Sequence, residues 1–153
     1  MSLVGKPLPA FSLQDDQGST VTPKEIKGAW TIIYAYPKDN TPGCTSEGQD
    51  FRDLHPLFQA LDWEVFGISR DSVKSHENFK AKQGFPFDLI SDPDEQACAA
   101  FAVMKLKNLY GKQVRGIERS TFAIAPDGTL AKAWRGVKVP GHAQEVLEFV
   151  RTL

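Results

Sequence analysis

The 153-residue sequence predicts an α/β fold, a central mixed sheet flanked by helices and formed by a single domain over residues 1–153. Three observations predict it. Apolar runs rich in β-branched and aromatic residues, WTIIYAY at 30–36 and WEVFGIS at 63–69, alternate with stretches of helical periodicity. Two later runs, Ser120 to Ala125 and Thr129 to Trp134, flank Pro126-Asp127-Gly128, a strong hairpin turn, and an amphipathic segment follows. The length suits one domain, and no linker, repeat or low-complexity segment divides it.

Residues 1–29 hold LPAFSL, a polar turn at Gln14 to Ser19 and a Thr22-Pro23 start before Gly28. They read as a hairpin-like extension covering one sheet edge. Trp30 to Tyr36 is continuous and apolar, as a strand buried on both faces requires. Beyond it Phe51, Leu54, Phe58 and Leu61 recur at near-helical spacing, and Pro56 is expected to kink or break that helix after His55. Trp63 to Ser69 is the second strand. Asp71-Ser72 then caps a helix with Val73, His76 and Phe79 on its inner stripe and Gly84 as its stop.

Phe87 to Ile90 reads as a short strand, and Asp92-Pro93 opens a helix with Ala97, Cys98, Phe101 and Met104 on one face. Lys105 to Gly116 reads as a basic loop. After the hairpin, His142 to Leu153 forms the closing helix with Val146, Phe149 and Val150 inward. Strands alternating with helices, then a hairpin and a last helix, is a thioredoxin-like order.

One of only two cysteines lies where the first long strand hands over to a helix. Pro37 ends the strand, Lys38-Asp39-Asn40 is a polar loop, Thr41 is a good N-cap and Pro42 a good first helical residue. Cys44 then falls in the first turn, where unpaired backbone N–H groups and the positive end of the helix dipole favour a thiolate. The Thr41 hydroxyl, one turn earlier, is within reach of the sulfur or of a substrate oxygen. A lone cysteine is more often a small buried hydrophobe; the Pro-framed loop and capped helix start favour a thiol built to react.

The bulk properties exclude several classes. A net charge of −1 offers no electrostatic footprint for nucleic acid or a membrane surface, and no apolar run is long enough for a membrane span. Lys6 and Pro7 interrupt the start, so no signal peptide is expected, and two thiols far apart suit a reducing compartment, the cytoplasm. His55, His76 and His142 are dispersed and show no metal-ligand spacing with the cysteines, so no cofactor or metal is expected. There is no Cys-x-x-Cys and no phosphate-binding loop. A Cys–His hydrolase would need a histidine folding against Cys44, and nothing points to one.

The segment PKDNTPGCTSEGQDFRD resembles the active-site segment of the bacterioferritin-comigratory-protein (Prx Q) branch of the peroxiredoxins. The segment GIERSTF, residues 116–122, resembles that branch's arginine strand, and the likeness continues through SDPDEQA, NLYGKQVRGIERSTF and WRGVKVPGH. It covers nearly the whole chain. It implies a peroxiredoxin-type thioredoxin fold and reduction of hydrogen peroxide and organic hydroperoxides, with Cys44 as nucleophile. It further implies that Arg119 lies beside the sulfur and polarises the O–O bond, that Thr41 contacts substrate oxygens, and that the Gly43 and Cys44 amides complete the pocket. Pro37 would wall the sulfur from bulk water and Glu47 would orient the arginine. Without the resemblance, Arg119 reads as a solvated strand residue and Glu47 as an exposed first-turn carboxylate.

Attack would leave a sulfenic acid for another thiol to resolve. Relatives carry a resolving cysteine where this chain has Gln49, or on the helix after the second strand at about Lys80. Neither is available here. The expectation is a one-cysteine cycle recycled by glutathione, glutaredoxin or thioredoxin. Cys98, beside Phe101 on an apolar helix face, is the alternative resolving thiol, by way of a Cys44–Cys98 disulfide that would need the first long helix to unfold locally. A non-enzymatic redox sensor or holdase on the same fold is the competing class; the Thr41, Cys44 and Arg119 set argues for turnover. A monomer is expected, with a weak dimer as the alternative.

Overall fold

The computed structural model describes residues 3–153, with Leu109 by its backbone alone; Met1 and Ser2 of the expected extension lie outside it. The extension is a small antiparallel pair, β1 (Leu13–Asp15) and β2 (Thr20–Val21), followed by one helical turn, α1 (Pro23–Ile26), with a Thr22–Glu25 capping box. The first long apolar run becomes β3 (Trp30–Ala35), which leads into α2 (Pro42–Ala60). Then come β4 (Trp63–Ser69), α3 (Val73–Gln83), β5 (Asp88–Ser91) and the short α4 (Gln96–Ala100). A two-stranded ribbon follows, β6 (Met104–Leu109) and β7 (Lys112–Ile117). The chain ends with the hairpin β8 (Ser120–Ile124) and β9 (Leu130–Trp134), then α5 (His142–Arg151).

Seven strands form one mixed sheet in the order β2-β1-β5-β4-β3-β8-β9. β3, β4 and β5 run parallel, in a register that sets Trp30 against Trp63, while β8 pairs antiparallel with β3. The two tryptophan rings stack with centroids 4.9 Å apart. β1 covers one sheet edge by pairing with β5, as expected. The same N-terminal segment also reaches the other edge: Pro7 bridges to Thr129, and the Leu130 N–H donates to the Lys6 carbonyl at 2.9 Å.

Alternation along β3 divides the interior in two. Ile32, Tyr34 and Tyr36 face a core shared with Cys44, Phe51 and Phe58 of α2, Phe79 of α3 and Val146 of α5. Ile33 and Ala35 face the opposite core, with Phe11, Ile26, Ala97, Cys98, Phe101 and Phe122. The period of two in a strand requires this, since neighbouring side chains leave the sheet on opposite faces. The two thiols therefore lie on opposite sides of the sheet.

Four expectations are corrected. Pro56 does not break the helix: α2 runs unbroken to Ala60 with Pro56 on its exposed side, where the ring is not forced into the core. Leu61 is exposed at the end of that helix and not part of its core stripe. The helix opened by Asp92-Pro93 starts later and is shorter: Asp92 is buried and its carboxylate accepts from the N–H groups of Gln96, Ala97 and Cys98 at 2.7, 3.0 and 2.8 Å, while Met104 begins a strand. The basic loop at 105–116 is the β6–β7 ribbon, turned at Tyr110 and Gly111, both with positive φ.

Candidate active site

Thr41 is the N-cap of α2, and Pro42, Gly43 and Cys44 are its first three residues. Cys44 is 1% exposed, with its sulfur at the helix end where the backbone N–H groups lack intrahelical acceptors. The Arg119 guanidinium reaches it from the short link between β7 and β8. Its Nη2 lies 3.4 Å from Cys44 Sγ, and its Nη1 donates to Glu47 Oε1 at 2.6 Å. One planar fork thus spans the sulfur and a carboxylate on the next turn of the same helix. Neither partner is a solvated surface charge: the Arg119 and Glu47 side chains are 16% and 1% exposed.

The backbone around Arg119 is fixed on both sides. Glu118 N–H donates to the Val103 carbonyl at 2.7 Å, and Val137 N–H donates to the Arg119 carbonyl at 3.0 Å. Gly43 makes room for the fork, because a Cβ there would stand 3.1 Å from Arg119 Nη2. Gly48 is similarly constrained: its Cβ would meet the Phe85 ring at 2.3 Å. Burial raises the Glu47 carboxyl pKa to about 7 against the opposing pull of Arg119. The geometry accounts for the direction, since Oε2 is buried and has no hydrogen-bond partner among the described residues.

Thr41 is placed differently from expectation. Its hydroxyl donates to the Lys38 carbonyl at 2.8 Å and not to the sulfur. With its one hydrogen committed, the hydroxyl has only its oxygen lone pairs left, as an acceptor. Pro37 is half-buried at the end of β3. Cys98 is far from this constellation, 1% exposed in the opposite core, and burial followed by the Asp92 carboxylate pushes its thiol pKa well up. No histidine hydrogen-bonds Cys44 among the described residues; His142 engages the Thr121 hydroxyl at 2.8 Å.

A supporting network escaped the sequence reading. Asp39, in the loop read as merely polar, is buried and accepts from Tyr36 OH at 2.6 Å and Ser75 Oγ at 2.8 Å, with His76 Nδ1 at 2.7 Å. Its N–H donates to Asp71 Oδ2 at 3.0 Å. These bonds fasten the loop before Cys44 to α3. Asp39, Asp71 and His76 could hold a cation by proximity, with ligand atoms within 4.8 Å of one another, but the network already uses the oxygens such an ion would need. A buried histidine on the inner face of α3 was the one sequence signal that a partner had to exist nearby.

A thiol at a helix N-terminus, held by a guanidinium fork on a thioredoxin-like sheet, defines a thiol-dependent peroxidase of the peroxiredoxin class. The comparisons agree. Residues 4–133 match the AhpC/TSA family, and the chain belongs to that family, in its bacterioferritin-comigratory-protein (Prx Q) branch. It is similar to Peroxiredoxin Bcp of Xanthomonas campestris pv. campestris, 58% identical over 85% of this chain and 81% of the relative. Peroxiredoxin Bcp of Bacillus subtilis is 45% identical over 98% and 96%. A solved structure of the Xanthomonas campestris bacterioferritin comigratory protein, from work on that protein's alkyl peroxide reduction activity, superposes with a TM-score of 0.88 at 54% identity. It covers 93% of this chain and 90% of its own.

Proposed function

We propose that this peroxidase reduces hydrogen peroxide and organic hydroperoxides by a one-cysteine cycle centred on Cys44. The thiolate attacks the outer peroxide oxygen; the S–O bond forms as the O–O bond breaks, and the departing oxygen takes up a proton to leave as water or an alcohol. Arg119 stabilises the charge on that oxygen through a donor already in place, Glu47 holds the guanidinium plane, and Thr41 accepts the hydroperoxide O–H. The Gly43 and Cys44 amides and the Pro37 ring close the pocket. Cys44 is left as a sulfenic acid. A first external thiol attacks it, forming a mixed disulfide and releasing water, and a second thiol frees Cys44 as a disulfide departs. Thioredoxin, glutaredoxin or glutathione supplies those thiols.

The observation that carries this reading is the single Arg119 fork bonded to both Cys44 Sγ and Glu47. The alkyl peroxide activity of the Xanthomonas campestris relative supports organic hydroperoxides as substrates. An external thiol is favoured because the sheet separates Cys44 from Cys98. Lys80 stands where some relatives carry a resolving thiol and instead pairs with Asp16 at 3.1 Å and Asp88 at 2.7 Å, tying α3 to its neighbours. The reading extends to a monomer working as one domain over residues 1–153 in the cytoplasm, where separated thiols stay reduced. Among the described residues no helix is long and apolar enough to cross a membrane.

The test is intact mass of the reduced protein after one equivalent of hydrogen peroxide, with Cys44→Ser and Cys98→Ser variants beside it. Gain of one oxygen on Cys44, unchanged in Cys98→Ser, is expected. Loss of two hydrogens that requires both cysteines would replace the one-cysteine cycle by a Cys44–Cys98 disulfide. No rapid change in mass would remove the peroxidase mechanism and the redox-sensor reading with it, leaving a holdase or binding module on the same fold.

A further inference from the structure

The β6–β7 ribbon, Met104–Ile117, pairs only with itself and joins neither edge of the main sheet. Its sequence, MKLKNLYGKQVRGI, contains Lys105, Lys107, Lys112 and Arg115 and no carboxylate, in a chain whose net charge is −1. Arg115 pairs with Glu95, and its carbonyl accepts from Arg70 at 3.2 Å, contacts that fix the ribbon to the body. Lys105 and Lys112 have no ion-pair partner among the described residues. Interleaved with these cations are apolar side chains turned to solvent: Leu106 is 67%, Tyr110 97% and Val114 43% exposed.

The ribbon's second strand leads into the segment that carries Arg119, whose guanidinium lies 3.4 Å from Cys44 Sγ. Lys107 Nζ donates to the Ile117 carbonyl at 2.5 Å, and Arg119 follows Ile117 by two residues. Burial, then the Arg119 charge, lower the Lys107 ammonium pKa, and the charge of Cys44 acts on it in the opposite sense. A partner lying along the ribbon would therefore approach the segment that holds the Arg119 fork.

We propose that this ribbon is the docking surface for the protein thiol that recycles Cys44, and that it receives an acidic, partly apolar face beside that partner's reactive cysteine. The proposal rests on the external-thiol reading above. Charge complementarity argues for an acidic partner, since cations at the rim of an interface speed encounter and fix orientation. Six-residue strands at about 3.4 Å per residue span about 20 Å, far more than a tripeptide thiol covers, and the exposed leucine, tyrosine and valine suit a protein face. A second copy fits poorly, because a two-fold pairing of ribbons would set cation against cation.

The test measures peroxide turnover with three reductants: a thioredoxin of net negative charge, glutathione, and dithiothreitol. Two variants are compared with the parent protein, Lys105→Glu/Lys112→Glu and Leu106→Ser/Tyr110→Asn. The KM for thioredoxin is expected to rise about tenfold in the charge-reversed variant and several-fold in the apolar one, while dithiothreitol-supported turnover stays within about twofold. In the parent, the thioredoxin KM should climb with ionic strength and the dithiothreitol rate should not, a readout independent of how either variant folds. An unchanged thioredoxin KM in both variants overturns the proposal. So does a loss confined to glutathione, which would make the ribbon a small-anion site, or a dimer of the parent that the variants dissolve. Oxygen gain on Cys44 measured without reductant separates the two levels: if it occurs and docking fails, only the ribbon proposal falls; if it does not, the peroxidase mechanism falls too.

Discussion

Cys44 and Cys98 are equally buried, at 1% exposure each, yet the sheet places them in opposite chemical settings. Cys44 sits at the open end of a 19-residue helix, beside a guanidinium. Cys98 sits in a five-residue helix whose first three N–H groups are already taken by the Asp92 carboxylate, and it belongs to the apolar core that also holds Ile33, Ile68, Phe101 and Phe122. A guanidinium donor faces the first sulfur at 3.4 Å; apolar burial and a carboxylate keep the second thiol protonated. Burial therefore does not decide reactivity. The charge that shares the burial does.

Replacement of either cysteine tests that contrast most directly. Cys44→Ser should abolish peroxide reduction with every reductant, followed as loss of hydroperoxide. Arg119→Gln should lower kcat/KM for peroxide by about 10²–10³, the usual cost of removing one oriented donor from a developing anion, with the protein still folded by circular dichroism. Smaller effects lie in stability. The Glu47 carboxyl is raised from 4.5 to about 7 in the folded state, so between those values the folded protein holds a proton that the unfolded chain has released. Stability should then fall as pH rises through that window, by on the order of 3 kcal/mol at the limit. Urea titrations at pH 4.5 and 7.5 should show that slope and its flattening in Glu47→Gln. Least of all, Cys98→Ala should leave peroxide turnover unchanged and cost about 1–2 kcal/mol of stability, the effect of a small cavity. Comparable losses of activity in the two cysteine variants would end the contrast.

Sequence and structure agree where a local pattern is strong. WTIIYAY and WEVFGIS form the adjacent parallel strands that their composition requires, and Thr41-Pro42 starts the helix that presents Cys44. Arg119 is a different case. It is separated from Cys44 by 75 residues, and only the family resemblance linked them before the fold did. The Asp39–His76 contact, 37 residues apart, had no such help, because a short polar loop gives no sign that its aspartate turns inward. The ribbon was misread for a more specific reason. Lys105 to Asn108 and Lys112 to Val114 are exposed, so they show no strong apolar face, and the turn between the strands is Tyr-Gly, not the Asn-Gly or Asp-Gly that usually announces two positive φ values. Pro56 shows the converse, a strong local signal overridden by the packing of its neighbours Phe51, His55 and Phe58.

The N-terminal segment has a bearing on solubility. Any open sheet ends in strands whose unpaired N–H and C=O groups invite another chain to add on. Here one stretch of chain guards both ends, as β1 and β2 beyond β5 and as the run through Pro7 along β9. Leu8 N–H to Gly128 and Gly5 N–H to Leu130 add to the second guard. Proteolysis within residues 3–21 would uncover β5 and β9 together while leaving Cys44, Glu47 and Arg119 in place. Such a trimmed protein would first betray the damage as aggregation, with its chemistry still intact.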